Sequence, residues 1–195
     1  MNEIESLTNL LSRLPGIGRK SALRLTYFLL NNKEYSKSLV ESIEKVITNI
    51  FFCSKCGNYT SVDPCYICSS RDRDKKILCI VEEQKDLLAI EETEFYNGLY
   101  HILNGVINPL EDKGPEKLRI NELIERIEKE KFEEILIATN PTVDGEATFL
   151  YLKELLEKYN IKISRIATGI PMGGSLEYAD KFTLGKAIQA KLYLK

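Results

Sequence analysis

The sequence has no long apolar run, no excess of positive charge and a single histidine. No apolar stretch approaches the roughly 18 residues that a membrane-spanning helix needs, so the pattern does not predict a membrane span. The 27 basic and 29 acidic residues give a net charge of -2, so any contact with nucleic acid must come from a local patch. The acidic first residues, MNEIE, lack the basic and then apolar pattern of a secretion signal, and we expect a cytoplasmic protein.

The composition, 44% hydrophobic and 29% charged over 195 residues, is typical of a folded globular chain with one or two compact units and a small accessory module. Apolar residues at helical spacing predict two amphipathic helices, at 4–14 and 39–50, on either side of a glycine turn. The alternation of apolar and helical runs that follows predicts an α/β domain with a parallel sheet. Its predicted strands are 77–81, 99–103, 135–138 and 161–167, its helices are 87–91, 120–129 and 146–158, and a short helix at 183–192 ends the chain.

The glycine turn carries the first candidate site. Gly16 and Gly18 can adopt positive φ and bring backbone N–H groups close to a phosphate at the start of a helix. Arg19, Lys20 and Arg24 follow directly, and residues 13–37 hold six basic residues against one acidic residue. This pattern indicates a helix-hairpin-helix element that holds a DNA backbone without reading bases.

Two other interpretations of the turn have to be compared with this one. In a P-loop the lysine directly follows a glycine and the loop follows a strand, whereas here Arg19 precedes Lys20 and a helix comes first, so ATP binding is not expected. An ordinary helix connection with a solvated basic face remains open.

The four paired cysteines form the second candidate site. Cys53 and Cys56, then Cys65 and Cys68, have the two-residue spacing of thiolate pairs that bind a tetrahedral Zn²⁺ ion. A closed four-cysteine shell has no open position for water, so we expect one structural zinc ion per chain that holds residues 53–68 folded. A redox pair, a disulfide framework and iron in place of zinc remain open alternatives.

Acidic residues after two predicted strands form the third candidate site. Glu82 follows the first strand, and Asp144 lies within 138–150 after a later one. This pairing resembles the Toprim domain, the metal-binding fold of topoisomerases and primases, where a glutamate ends the first strand and two aspartates lead the later run. Asn140 and Thr142 stand where those aspartates would be. Because two charges are missing from the metal shell, we expect weak Mg²⁺ affinity and no catalytic residue.

We name this group of carboxylates the acidic face and expect it to dock a partner protein, although a merely solvated surface remains open. Its members are Glu82, Glu83, Asp86, Asp144 and Glu146. The only histidine, His101, lies in an apolar strand and is predicted to be a core residue, not a catalytic one.

Taken in order, the motifs resemble the RecR family of bacterial recombination mediators over almost the whole chain. The segments that carry the resemblance are 14–22, the four cysteines, 80–91, 99–105, 138–148 and 165–180. The resemblance implies a non-enzymatic, nucleoid-associated DNA-repair protein that works with RecO and RecF to load RecA on single-stranded DNA. It also implies self-association into dimers or ring-like tetramers that encircle DNA, with Lys20 and Arg24 as the matched hairpin residues. The segment from 166 to Asp180 has been likened to a Walker B motif, but without a P-loop we expect no ATP hydrolysis.

Together these patterns predict a multi-module α/β protein. We expect a helix-hairpin-helix module at 1–52, a four-cysteine zinc finger at 53–76, a Toprim domain at 77–170 and an oligomerisation segment at 171–195. The expected DNA is single-stranded, duplex or gapped, bound without sequence specificity, and no membrane is involved. Two rivals remain: a metal-dependent Toprim nuclease or topoisomerase-like enzyme that uses Glu82, Asp144 and Glu146, and a zinc-bearing nucleic-acid module without protein partners.

Overall fold

A computed structural model describes residues 2–167, 169, 170, 173 and 175–190. The chain divides into two compact units, residues 1–50 and residues 51–195. The described helices are each too short or too polar to span a bilayer.

The first unit contains three helices: α1 (Glu3–Leu11), α2 (Arg19–Asn31) and α3 (Lys33–Asn49). Helices α1 and α2 form a hairpin whose contact is polar at its centre, because the buried hydroxyls of Thr8 and Thr26 lie 3.0 Å apart. The prediction of only two helices around the turn was wrong, since the apolar run at 39–50 lies in α3. A helix was expected directly after the turn, and the structure divides the chain from there to residue 49 into α2 and α3 at Asn32.

Helix α3 leaves its apolar side chains uncovered within the described chain. All of its residues are at least partly exposed, and Ile47 is 75% exposed. The other large apolar side chains exposed on α3 and at its end are Leu39, Val40, Ile43, Val46 and Ile50. An apolar stripe of this kind marks an interaction surface.

The second unit is built on a parallel sheet, as predicted. Its strands lie in the order β4 (Gly98–Ile102), β3 (Asp74–Val81), β5 (Glu134–Ala138) and β6 (Lys162–Arg165), and each neighbouring pair is parallel. Helices α5 (Gln84–Glu91), α6 (Ile120–Lys129) and α7 (Val143–Leu156) follow β3, precede β5 and follow β5 respectively. The apolar core joins strand residues such as Leu78, Ile80 and Ile137 to side chains of α6 and α7.

A small antiparallel ribbon and a short helix precede this sheet: β1 (Phe51–Phe52), β2 (Tyr59–Thr60) and α4 (Tyr66–Ser69). Strand β3 begins earlier than the predicted start at 77, and β6 ends before the predicted end at 167.

Three helices begin earlier than predicted because side chains cap them. Glu83 and Asp86 form a capping box for α5, and Thr142 caps α7 through its hydroxyl. Asp180 caps α8 (Lys181–Gln189) by accepting from the N–H groups of Phe182 and Thr183. The helix ends at Gln189 with Ala190 as its C-cap, short of the predicted end at 192. Residues 191 and 192, with other parts of the 166–180 stretch and of the 171–195 segment, lie outside the described residues.

His101 is a buried core residue, as the sequence predicts. Its Nε2 atom lies 2.7 Å from the carbonyl oxygen of Arg119. Burial lowers the pKa of His101 to about 3, so the ring is neutral near pH 7. A neutral, fully enclosed imidazole cannot serve as an acid or base for a bound substrate.

Candidate functional sites

The turn between α1 and α2 has one glycine with a left-handed conformation. Gly16 has a φ of +76°, which favours glycine because a Cβ atom would be strained there. Gly18 has φ -78° and ψ 164°, so the expectation that both glycines use positive φ was wrong for Gly18. Gly18 is the N-cap of α2, a position that takes extended backbone in any residue. Its Cβ would meet no described atom within 4 Å, so packing does not demand glycine there.

The start of α2 is an open, positively charged helix end. Among the described residues no side chain caps it, and its first turn holds Arg19 and Lys20 but no acidic residue. The first N–H groups of a helix lack partners within the helix and carry partial positive charge. Arg19, Lys20 and Arg24 are all exposed. Backbone donors and three cationic side chains therefore lie within the first two turns of one helix, an arrangement suited to phosphate.

Arg24 also lines a shallow groove on α2. The groove is formed by Ser21, Arg24, Leu25, Tyr27, Phe28 and Asn31. The aromatic rings of Phe28 and Tyr35 pack edge to face, with their centroids 5.6 Å apart. The guanidinium of Arg24 is therefore on the same side of α2 as an exposed apolar strip.

The four paired cysteines converge on one buried point. Their sulfur atoms all lie within 4.8 Å of one another, and the sulfurs of Cys56 and Cys65 are 3.5 Å apart. Zn–S bonds of about 2.3 Å in a tetrahedron place the sulfurs roughly 3.8 Å apart, so this set fits a zinc ion. A disulfide requires about 2.05 Å between sulfurs.

Local backbone geometry prepares this site. The N–H of Asn58 donates to the sulfur of Cys56 at 3.5 Å, and the N–H of Cys65 donates to the sulfur of Cys53 at 3.3 Å. Both sulfurs therefore lie beside backbone N–H groups in the folded chain. The hydrogen bond between Cys56 and Cys65 lowers the pKa of the Cys65 thiol and raises that of the Cys56 thiol.

The cysteine cluster is part of the core beneath the sheet, not a separate appendage. The four cysteines and Ile67 pack with strand residues including Tyr100 and Ile102. The N–H of Ile102 donates to the carbonyl oxygen of Cys56 at 2.8 Å. A Cβ on Gly57 would lie 2.8 Å from Nε of Arg119, so glycine permits this close approach. The metal site and strand β4 therefore stabilise each other.

The acidic face begins at a buried carboxylate. Glu82 is only 7% exposed, and its two oxygens accept from the backbone N–H of Asn140 at 2.7 Å and from Nδ2 of Asn140 at 2.6 Å. The same Nδ2 lies 3.3 Å from Oδ1 of Asp86. The ends of β3 and β5 are thus joined by one amide between two carboxylates. Sequence reasoning treated Glu82 as part of an exposed surface, whereas it is enclosed.

The remaining acidic residues are held by different partners. Glu83 is exposed and pairs with Lys85 at 2.7 Å, while the other carboxylate oxygen of Asp86 accepts from the N–H of Glu83. Asp144 accepts from Nδ2 of Asn108 at 2.9 Å.

Glu146 pairs with Arg165 at 2.5 Å, and this hydrogen bond lowers the pKa of the Glu146 carboxyl. The structure therefore links Glu82, Glu83 and Asp86 through hydrogen bonds, while Asp144 and Glu146 bond to other partners, Asn108 and Arg165. The sequence did not predict that Asn140 donates hydrogen bonds to Glu82. The available signal was that an asparagine stands where the Toprim pattern has an aspartate.

An open helical hairpin, a buried four-cysteine cluster fused to a parallel sheet, and an acidic strand edge define a zinc-containing Toprim protein with a helix-hairpin-helix module. Family models agree: the RecR helix-hairpin-helix model matches residues 4–47, the RecR four-cysteine zinc finger domain matches 50–70, the Toprim domain matches 76–167, and the RecR C-terminal model matches 169–191. Recombination protein RecR of Clostridium perfringens is 45% identical over 189 residues, which cover 96% of this chain and 95% of that relative. The chain belongs to the RecR family, and its cofactor is structural zinc.

Proposed function

We propose that this chain is a non-enzymatic DNA-binding recombination mediator that helps load RecA on single-stranded DNA together with RecO and RecF. The observation that carries the proposal is the open start of α2, where backbone donors and the cations of Arg19, Lys20 and Arg24 meet. Such an end binds phosphate oxygens, which are common to all DNA, so binding is independent of sequence. Membership of the RecR family supports this function.

The arrangement of the acidic face supports an adaptor over a nuclease. The rival enzyme needs Glu82, Asp144 and Glu146 on a shared cation. Their side chains instead contact three separate groups, the amides of Asn140 and Asn108 and the guanidinium of Arg165. Two-metal or one-metal phosphoryl chemistry requires carboxylates that converge on the ion. A surface that docks a partner protein does not need carboxylates that converge on one point.

Within this proposal the acidic face binds RecO or RecF through its exposed members. Glu83 is the most suitable contact because its carboxylate is half exposed, while Glu82 and Asp86 shape the surface from beneath. Complementary charge of this kind orients partners and speeds association. Glu83→Asn, which removes the charge but can still cap α5, should weaken RecO binding, and Glu92→Gln, the same loss of charge at the other end of α5, should not.

The uncovered apolar stripe of α3 supports self-association with a second copy. Its side chains would be buried in a dimer or tetramer, and several chains would then present their α2 cations to one DNA molecule. Several copies of these cations on one oligomer would explain how a chain with a net charge of -2 binds DNA.

Fluorescence anisotropy on single-stranded and gapped DNA at one fixed salt concentration tests the proposal. Lys20→Ala/Arg24→Ala should weaken binding by roughly tenfold or more, because two phosphate contacts are lost. Lys131→Ala/Lys158→Ala removes the same charge from exposed positions of the second unit and should bind like wild type. Equal losses in both variants would mean that only net charge matters, and the hairpin would not be the DNA site.

A further inference from the structure

The centre of the acidic face holds a side-chain amide between two carboxylates. We propose that Asn140 is a positioning residue whose amide does internally what a divalent cation would do, holding Glu82 and Asp86 together without metal. This inference does not depend on DNA binding or on any partner protein.

The positions of the N–H donors of Asn140 support the proposal that its amide takes the place of a cation. One nitrogen, Nδ2 of Asn140, lies 2.6 Å from a Glu82 oxygen and 3.3 Å from an Asp86 oxygen. The backbone N–H of the same residue donates to the second oxygen of Glu82 at 2.7 Å. Both oxygens of a 7% exposed carboxylate are therefore satisfied by one residue. A buried carboxylate without such donors would be strongly destabilising.

The backbone at the start of α7 approaches this centre closely. A Cβ on Gly145 would lie 2.1 Å from the carbonyl oxygen of Asn140 and 2.7 Å from Oε1 of Glu82. The start of α7 thus presses directly on the amide–carboxylate pair, which requires glycine at this position.

Thr142, at the second position that lacks an aspartate, also has a structural role. The hydroxyl of Thr142 accepts from the N–H of Gly145 at 3.0 Å and caps α7. The side chains at both former aspartate positions, Asn140 and Thr142, are therefore engaged in hydrogen bonds within the protein. The centre is therefore filled by Asn140, and millimolar Mg²⁺ or Mn²⁺ should not stabilise the wild-type protein.

Asn140→Asp tests this inference directly. The change puts a third carboxylate beside those at positions 82 and 86, so the variant, with its zinc site loaded, should melt at a lower temperature than wild type in buffer without added Mg²⁺ or Mn²⁺. Millimolar Mn²⁺ or Mg²⁺ should then raise its melting temperature by roughly 5 °C or more, because the cation binds only the folded centre. Isothermal titration with MnCl₂ should detect a site in this variant beyond those in wild type, with the zinc site kept loaded.

Two further variants separate cation binding from general damage. Asn108→Asp is the matched control, since the Asn108 amide meets only one carboxylate, that of Asp144, and this variant should gain no response to Mn²⁺. Glu82→Gln/Asn140→Asp reverses the amide and the carboxylate. It should fold nearly as well as wild type without added Mg²⁺ or Mn²⁺ and should lose most of the Mn²⁺ response, even if Asn140→Asp alone fails to fold.

Two results would overturn the inference. Stabilisation of wild type by Mn²⁺ equal to that of Asn140→Asp would show that the amide does not replace the cation. A reversed double variant that is no more stable than Asn140→Asp, both with zinc loaded and without added Mg²⁺ or Mn²⁺, would show that the contact between positions 82 and 140 does not hold the centre. Either result leaves the DNA-binding proposal standing, because all readouts are made without DNA.

Discussion

Gly18→Asp should make the protein more stable and a weaker DNA binder at the same time. Gly18 is the uncapped N-cap of α2, its φ of -78° and ψ of 164° suit aspartate, and a Cβ there meets no described atom within 4 Å. Aspartate improves on glycine as an N-cap by a few tenths of a kcal/mol, and its charge at the helix start adds about 0.3–1 kcal/mol. The free energy of unfolding of the first unit should therefore rise by about 0.5–1 kcal/mol.

The same carboxylate would occupy the N–H groups proposed to bind phosphate and would repel it. We expect affinity for single-stranded DNA to fall by roughly tenfold, equivalent to about 1.4 kcal/mol. Urea denaturation followed by helical circular dichroism measures the first effect, and anisotropy measures the second. Gly18→Asn is the control, since it caps without charge and should lose less affinity. If Gly18→Asp binds DNA like wild type, the start of α2 is not the phosphate site.

Three further predictions concern the zinc site, α3 and His101. Cys56→Ser, or removal of zinc by a chelator, should lower the metal content from one ion per chain and loosen the core around Ile102, seen as faster amide exchange in β4; unchanged exchange would contradict the shared core. Ile47→Glu should shift sedimentation toward smaller species, whereas Glu44→Lys, on the same helix, should not; equal sedimentation of Ile47→Glu and wild type would exclude the stripe as the interface. Because burial lowers the pKa of His101 to about 3, from 6.5, the unfolded state binds more protons in that window, and stability should fall as pH drops from 6.5 by up to about 1.4 kcal/mol per pH unit. His101→Gln should remove this slope, and a persistent slope would assign it to other groups.

The zinc site was predictable because its signal is local. Two cysteine pairs at fixed spacing define a ligand set whatever the surrounding fold, and the four sulfurs do converge. The parallel sheet was predictable for a similar reason, since apolar strands alternate with helical runs. Spacing alone did not reveal that the N–H of Ile102 would bond to the carbonyl oxygen of Cys56 and join the cluster to β4, because that contact links residues distant in sequence.

The details of the hairpin and the acidic face depend on backbone angles and long-range contacts. Glycine permits positive φ but does not require it, and only the structure separates Gly16 from Gly18. Asn140 was visible in the sequence as the loss of an aspartate. Its donation to Glu82 depends on β3 and β5 lying side by side, a pairing between residues 58 positions apart that periodicity does not specify.

The salt dependence of DNA binding is the most direct test of whether the start of α2 binds the phosphates of DNA. For single-stranded DNA the slope of log affinity against log salt concentration is about -0.7 per phosphate contact. We expect Lys20→Ala/Arg24→Ala to make the slope shallower by about 1.4, the value for two lost contacts. A variant whose slope equals that of wild type would contradict the account, and DNA contact would then have to be sought outside the hairpin.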